Sequence, residues 1–110
     1  MTDCLFCRIA EGSIPSKKVF EDDATYAFED IAPRAPTHVL IVPRAHVSTL
    51  AEASDEALVG RLFLTAARIA REKGLESYRV VVNNGEGAGQ TVFHLHVHLL
   101  GGREMAWPPG

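Results

Sequence analysis

Apolar positions in this chain recur with two distinct periods, and each period marks a different kind of element. From Glu56 onward Leu58, Leu62, Ala66 and Ile69, joined by Val59, Phe63 and Ala70, return every three or four residues. That spacing predicts one amphipathic helix with a continuous apolar stripe. Ser54 stands where a cap belongs, and Asp55 and Glu56 suit the positive end of the helix dipole. Arg68, Arg71 and Lys73 crowd the last turns, and Gly74 is the expected stop. Elsewhere the period is two, or the run is unbroken. HVLIVP, His38 to Pro43, reads as a strand buried on both faces. Lys18–Glu21 and Thr25–Phe28 are short β-like runs separated by the turn residues Asp22 and Asp23. A fourth strand falls around Tyr78–Val82, and a fifth is VFHLHVHLL, Val92 to Leu100. A short helix spans about Cys4 to Glu11 and ends at Gly12. DIAPRAPTH (Asp30–His38) and the tail GGREMAWPPG are too rich in proline and glycine for regular structure. Five strands with one long helix between the third and fourth predict an α+β domain.

The fifth strand carries the most unusual chemistry. On an extended chain His94, His96 and His98 share one face, while Phe93, Leu95, Val97 and Leu99 share the other and read as core. Three such histidines suggest a metal tripod, a catalytic device or a solvated face. A rise of about 3.3 Å per residue sets the outer Cα atoms roughly 13 Å apart. Zn–N bonds are near 2.1 Å, so three ligands on a straight strand would need a bend or bulge. A division of labour among the three is therefore expected.

Directly before that strand lies NNGEGAGQT, Asn83 to Thr91. Gly85, Gly87 and Gly89 free the backbone for close approach, and successive N–H groups can form an anion-binding concavity. A phosphate beside an imidazole is the picture that results. The two cysteines, Cys4 and Cys7, are spaced C-x-x-C. A tetrahedral metal site would need two more ligands, and the histidines at 38, 46, 94, 96 and 98 are the available ones. A redox dithiol is the competing reading, but no thioredoxin-like context surrounds the pair.

Composition narrows the possibilities further. With 110 residues, 46% hydrophobic and 23% charged, the chain is expected to be one globular domain spanning residues 1–110. A chain this short buries a modest fraction of its surface, so self-association would help it. The net charge of −3 gives no hint of a nucleic-acid or anionic-membrane surface. No apolar run approaches the roughly 20 residues of a membrane span. MTDCLFCRIAEG lacks the basic-then-apolar order of a secretory signal, so a cytoplasmic location is expected.

QTVFHLHVHLLGG, together with FEDIAPRAPTHVLIVPRAH, resembles the histidine triad (HIT) family. The likeness is strongest to its Hint branch, the histidine triad nucleotide-binding proteins, and runs from IPSKKVFEDD to the terminal WPPG. The resemblance implies a HIT-like α+β fold: a five-stranded antiparallel sheet with one long and one short helix, paired across a two-fold axis into a ten-stranded dimeric sheet. It implies purine nucleotide substrates of AMP or GMP type and hydrolysis of nucleoside 5′-phosphoramidates at the P–N bond. His96 would attack the α-phosphorus and carry a covalent nucleotidyl intermediate. Dinucleoside polyphosphate or acyl-nucleotidylate hydrolysis is the alternative, and a nucleotide- or zinc-binding regulatory protein with vestigial activity is another. By the same resemblance His98 binds phosphate oxygens, His38 supports the triad, and Gly89, Gln90 and Thr91 form the phosphate loop, with the Thr91 hydroxyl near the leaving group. Asn83 contacts the nucleotide, Asp30 takes the ribose hydroxyls, and Ile31 lines the base pocket. A structural zinc ion is implied on Cys4, Cys7, His46 and His94, with no cofactor in catalysis. The chain departs from the family pattern at Ala106, where relatives carry histidine before the tail tryptophan, which puts leaving-group preference in doubt.

Overall fold

The computed structural model describes residues 3–110. The short helix α1 is Leu5–Glu11, where the Cys4 Sγ accepts a hydrogen bond from the Cys7 N–H at 3.4 Å. Gly12 closes it in the left-handed region, φ 91°, where a side chain would be strained. Strands β1 (Lys18–Glu21), β2 (Thr25–Glu29), β3 (Thr37–Pro43), β4 (Tyr78–Val81) and β5 (Val97–Gly101) form one antiparallel sheet in the order β1-β2-β3-β5-β4. The long helix α2 (Glu56–Glu72) packs on β3, β4 and β5.

The unbroken apolar run of β3 is explained by its place in the middle of the sheet. On one face Val39 and Ile41 join Ala27, Leu95, Val97 and Leu99 beneath the α2 residues Leu62, Ala66, Ile69 and Ala70. On the other, Leu40 and Val42 join Tyr26 and Phe28 beneath Phe6, Ile9 and Ala10 of α1. Burying a leucine- or isoleucine-sized side chain contributes roughly 1.5–3 kcal/mol, so these two clusters supply most of the driving force. His98 lies opposite Leu40 in the β3–β5 ladder. The face that carries His98 is therefore the one that α1 covers, and α2 packs on the opposite face.

Three expectations change. Asp55, not Ser54, caps α2, its carboxylate accepting from the Leu58 N–H at 3.1 Å. Phe63 does not join the buried stripe and stays 40% exposed. Regular β5 begins only at Val97, so Val92 to His96 is not strand and Phe93 is 46% exposed rather than core. The ladder with β3 ends at the Ile41–Val97 pair, and beyond it the Leu95 N–H donates to the Val47 carbonyl at 2.6 Å. β3 itself stays paired with β2 as far as Pro43, opposite Thr25, so it is the histidine segment that leaves the ladder and follows an irregular path. Single turns of 3-10 helix form at Leu50–Glu52 and at Glu86–Ala88, the latter within the expected glycine-rich loop. Among the described residues no helix is long and apolar enough to cross a membrane.

The reassigned cap gives a direct expectation. Asp55→Ala should lower unfolding free energy by about 1 kcal/mol, whereas Ser54→Ala should change it by less than about 0.5 kcal/mol. Urea denaturation of the two variants checks this, and equal losses would restore Ser54 as the cap.

Candidate active site

The bend before Val97 separates the three histidines. His94 turns toward the N-terminal segment, and its Nδ1 lies 3.2 Å from the Cys4 Sγ, 3.4 Å from the Cys7 Sγ and 3.3 Å from the His46 Nδ1. The Cys7 Sγ is also 3.4 Å from the His46 Nδ1, and all four ligand atoms lie within 4.8 Å of one another. Around a tetrahedral ion with bonds of about 2.1 Å to nitrogen and 2.3 Å to sulfur, neighbouring ligands would stand about 3.4–3.8 Å apart. The tautomer agrees with ligation. His94 Nε2 faces the Pro43 carbonyl at 2.8 Å and must donate to it, which leaves Nδ1 with a lone pair aimed into the cluster. These four residues can hold a metal ion.

His96 is fixed in the opposite sense. Its Nδ1 is 2.7 Å from the carbonyl of His94, so Nδ1 carries the proton and donates. Nε2 keeps a free lone pair. The ring is 7% exposed and packs edge-on against Phe6, centroids 5.0 Å apart at 86°. The His98 ring follows at 4.9 Å.

A relay from β3 decides the state of His98. The Arg34 N–H donates to His38 Nδ1 at 3.0 Å, so the single proton of a neutral His38 sits on Nε2. That Nε2–H donates to His98 Nδ1 at 2.9 Å, with the Asp30 carboxylate 3.4 Å to the side. His98 therefore carries its proton on Nε2, a buried donor that finds no acceptor within the protein. A buried donor of this kind is an attachment point for an oxyanion. Asp30, His38 and His98 also form a compact group of potential metal ligands. Their tautomers oppose ligation, because the His38 nitrogen facing the group holds a proton that the Arg34 amide will not allow to move.

The remaining candidates occupy the rim. Asp30 holds the Ala32 N–H at 2.9 Å, and Ile31 is 99% exposed. Both line a cavity of about 610 Å³ with Pro15, Ser16, Lys17, Glu29 and Pro33. Asn83 is half-buried and Thr91 exposed. Gly89 adopts φ 99°, and a Cβ built there would sit 3.8 Å from the Asn83 side-chain nitrogen, so loop and β4 exit lie side by side. Gln90 has a different character. Its amide nitrogen donates to the carbonyls of Ser48 (2.8 Å) and Val92 (3.1 Å), and its oxygen accepts from the Gly85 N–H at 2.8 Å. Its side chain is consumed in shaping the loop, as are the N–H groups of Gly89 and Gln90, which donate to the carbonyls of Glu86 (3.0 Å) and Gly85 (3.1 Å). In the tail, Arg79 donates to the carbonyl of Ala106 at 2.9 Å and lies over the Trp107 ring. That contact uses only the backbone at the position where the family pattern has histidine.

Sequence reasoning misses the backbone partners: the carbonyls of Pro43 and His94 and the amide of Arg34 leave no mark in residue type. It also passes over Phe6, whose only signal is its place between Cys4 and Cys7.

Comparison with known proteins follows the same outline. The HIT domain family matches residues 11–105, and the chain belongs to this family. It is 51% identical to an uncharacterized HIT-like protein of Synechococcus elongatus, over 98% of this chain and 97% of that one. Its fold superposes on a HIT family hydrolase from Legionella pneumophila with TM-score 0.96 and 48% identity, covering 98% of this chain and 100% of that one. The histidine triad nucleotide-binding protein from Candida albicans follows at TM-score 0.84 and 33% identity, covering 98% and 85%.

Burial controls the protonation of the site. It pushes His98 down to about 4, with the neighbouring His96 and His38 adding to the effect. Burial also lowers His38, against the pull of the Asp30 carboxylate. In the unfolded chain these imidazoles titrate near 6.5. Between pH 6.5 and 4 the unfolded state thus binds more protons, and stability falls as pH falls. A loss of about 1.4 kcal/mol per pH unit is expected from His98 within that window. Urea titrations at stepped pH, compared with His98→Asn, check it; an identical slope in the variant would remove the assignment.

Proposed function

We propose that the chain is a nucleotide hydrolase that cleaves purine nucleoside 5′-phosphoramidates at the P–N bond. The observation that carries the reading is the pairing of opposite tautomers: a lone pair on His96 Nε2 beside a donor on His98 Nε2. His96 Nε2 attacks the α-phosphorus as the P–N bond breaks, and the departing amine nitrogen takes a proton from solvent through the Thr91 hydroxyl, a proton that the attacking water of the second step gives back to solvent. The positive charge that develops on the imidazole is met by the His94 carbonyl at Nδ1. His98 donates to a nonbridging oxygen as charge accumulates there. Water then attacks the phosphorus, the Nε2–P bond breaks, and the nucleoside monophosphate leaves with His96 restored.

The ligand contacts follow the cavity at Asp30 and Ile31. Asp30 takes the ribose hydroxyls, the fully exposed Ile31 meets the purine, and the backbone from Gly89 to Thr91 with Asn83 borders the phosphate. The neutral state of His96 and His98 near pH 7, favoured by burial, suits a nucleophile and a hydrogen-bond donor better than a pair of cations. The ion on Cys4, Cys7, His46 and His94 is zinc, from the borderline-soft donor set of two thiolates and two imidazoles. Four protein ligands leave it no open position, so it supplies structure rather than chemistry. The chain works as a homodimer, with the outer edge of β4 and the exposed Leu64 of α2 available for pairing.

Turnover of an adenosine 5′-phosphoramidate tests the reading. His96→Ala should reduce kcat by at least about a thousandfold while nucleotide affinity stays within a few fold. A panel of phosphoramidates, acyl-adenylates and dinucleoside polyphosphates, compared by kcat/KM, should favour the first; preference for another class would shift the assignment. Metal analysis should find one zinc per chain, lost in Cys4→Ser. Turnover that stops on chelation of a protein whose fold and His96 environment are unchanged would mean that the ion is catalytic.

A further inference from the structure

Phe6 stands between the two cysteine ligands in sequence and against the nucleophilic ring in space. Its ring meets His96 edge-on at 5.0 Å and 86°, meets His94 at 6.1 Å and 65°, and rests on Phe28 at 5.5 Å and 76°. It is 5% exposed, on the α1 face of the sheet. Cys4 caps α1 and Cys7 lies within its first turn, so the two sulfurs that converge on His94 and His46 also fix the turn that presents Phe6. His94 forms the second connection, since its Nδ1 enters the cluster and its carbonyl holds the proton of His96.

We propose that Phe6 is a positioning residue for His96, and that the Cys4, Cys7, His46 and His94 cluster sets Phe6, so that metal occupancy is read out at the nucleophile. The claim rests on the assignment of His96 as the attacking group. The His96 ring has one strong directional tether, the Nδ1–H to the His94 carbonyl, and that bond leaves rotation about its own axis open. The Phe6 and His98 rings packed against it restrict this rotation and aim the Nε2 lone pair. Release of the cysteine pair would loosen Phe6 and the His94 carbonyl together. Substrate contacts at Asp30 and Ile31 lie on another segment and would be spared. Loss of the metal is thereby converted into a loss of kcat rather than of binding.

The test combines kinetics on adenosine 5′-phosphoramidate with the nitrogen NMR shifts of His96 in the metal-loaded homogeneous protein. Phe6→Leu keeps most of the buried bulk and should fold, but lacks a ring edge. It is expected to lower kcat roughly ten- to hundredfold with KM within about threefold, and to average the His96 nitrogen shifts. Phe6→Tyr keeps the ring and should restore kcat to within about threefold of the parent. Chelation of the parent protein should average the His96 shifts as Phe6→Leu does. If Phe6→Leu and the chelated parent keep the parent's His96 shifts, the positioning role is overturned, whatever the kinetics. If His96→Ala retains turnover, the nucleophile assignment fails separately, and the shifts still decide whether Phe6 orders the ring.

Discussion

A neutral imidazole has two nitrogens and one proton, and everything in this site depends on which nitrogen keeps it. Backbone groups make that choice at each histidine. The carbonyl of Pro43 draws the proton of His94 to Nε2, and the carbonyl of His94 draws that of His96 to Nδ1. The amide of Arg34 repels the proton of His38 to Nε2, which in turn fixes His98. Four imidazoles, three of them on alternate residues, thereby acquire different faces. One lone pair points at two sulfurs, one stands free, and one proton waits for an acceptor. Burial adds to the effect by keeping the rings uncharged, since protonation would place a donor on every nitrogen and erase the distinctions.

The sheet explains why backbone can exert such control. β3 and β5 are central, and their ladder holds His38 and His98 in fixed relation on the face that α1 covers. Where the ladder stops, at Ile41 and Val97, carbonyls that would have paired within the sheet become available to side chains. Pro43 and His94 both lie just past that point. The functional geometry thus occupies the seam between regular and irregular structure, with the α2 cluster giving rigidity from the opposite face.

Periodicity made the fold legible because it reports burial directly. The stripe from Leu58 to Ala70, the unbroken run of β3 and the turn at Asp22 and Asp23 all follow from which face each residue must hide. The cap of α2 is not decided by residue type, because Ser54 and Asp55 are both good N-cap residues and only the local path of the chain distinguishes them. The histidine segment was legible as chemistry but not as shape. Its alternation suits a strand, yet its ladder with β3 ends at the Ile41–Val97 pair, a limit set by a strand distant in sequence. Gln90 illustrates the same limit: an amide in a glycine-rich loop reads as a ligand contact, whereas here three backbone segments consume it. Candidate residues were identifiable by type and spacing; the direction of each hydrogen bond belonged to the tertiary structure.

Gln90 has a consequence of another kind. Its amide is matched to its surroundings by polarity, with the NH₂ facing two carbonyls and the oxygen facing one amide. Glutamate has nearly the same shape, but would set a carboxylate oxygen against the carbonyls of Ser48 and Val92. Loss of a single ammonia molecule from this residue would therefore turn the loop's fastening into a repulsion, with scarcely any change in volume. At 2% exposure the amide is shielded from the water that such a change requires. The burial that shapes the loop is thus also what protects it from chemical ageing.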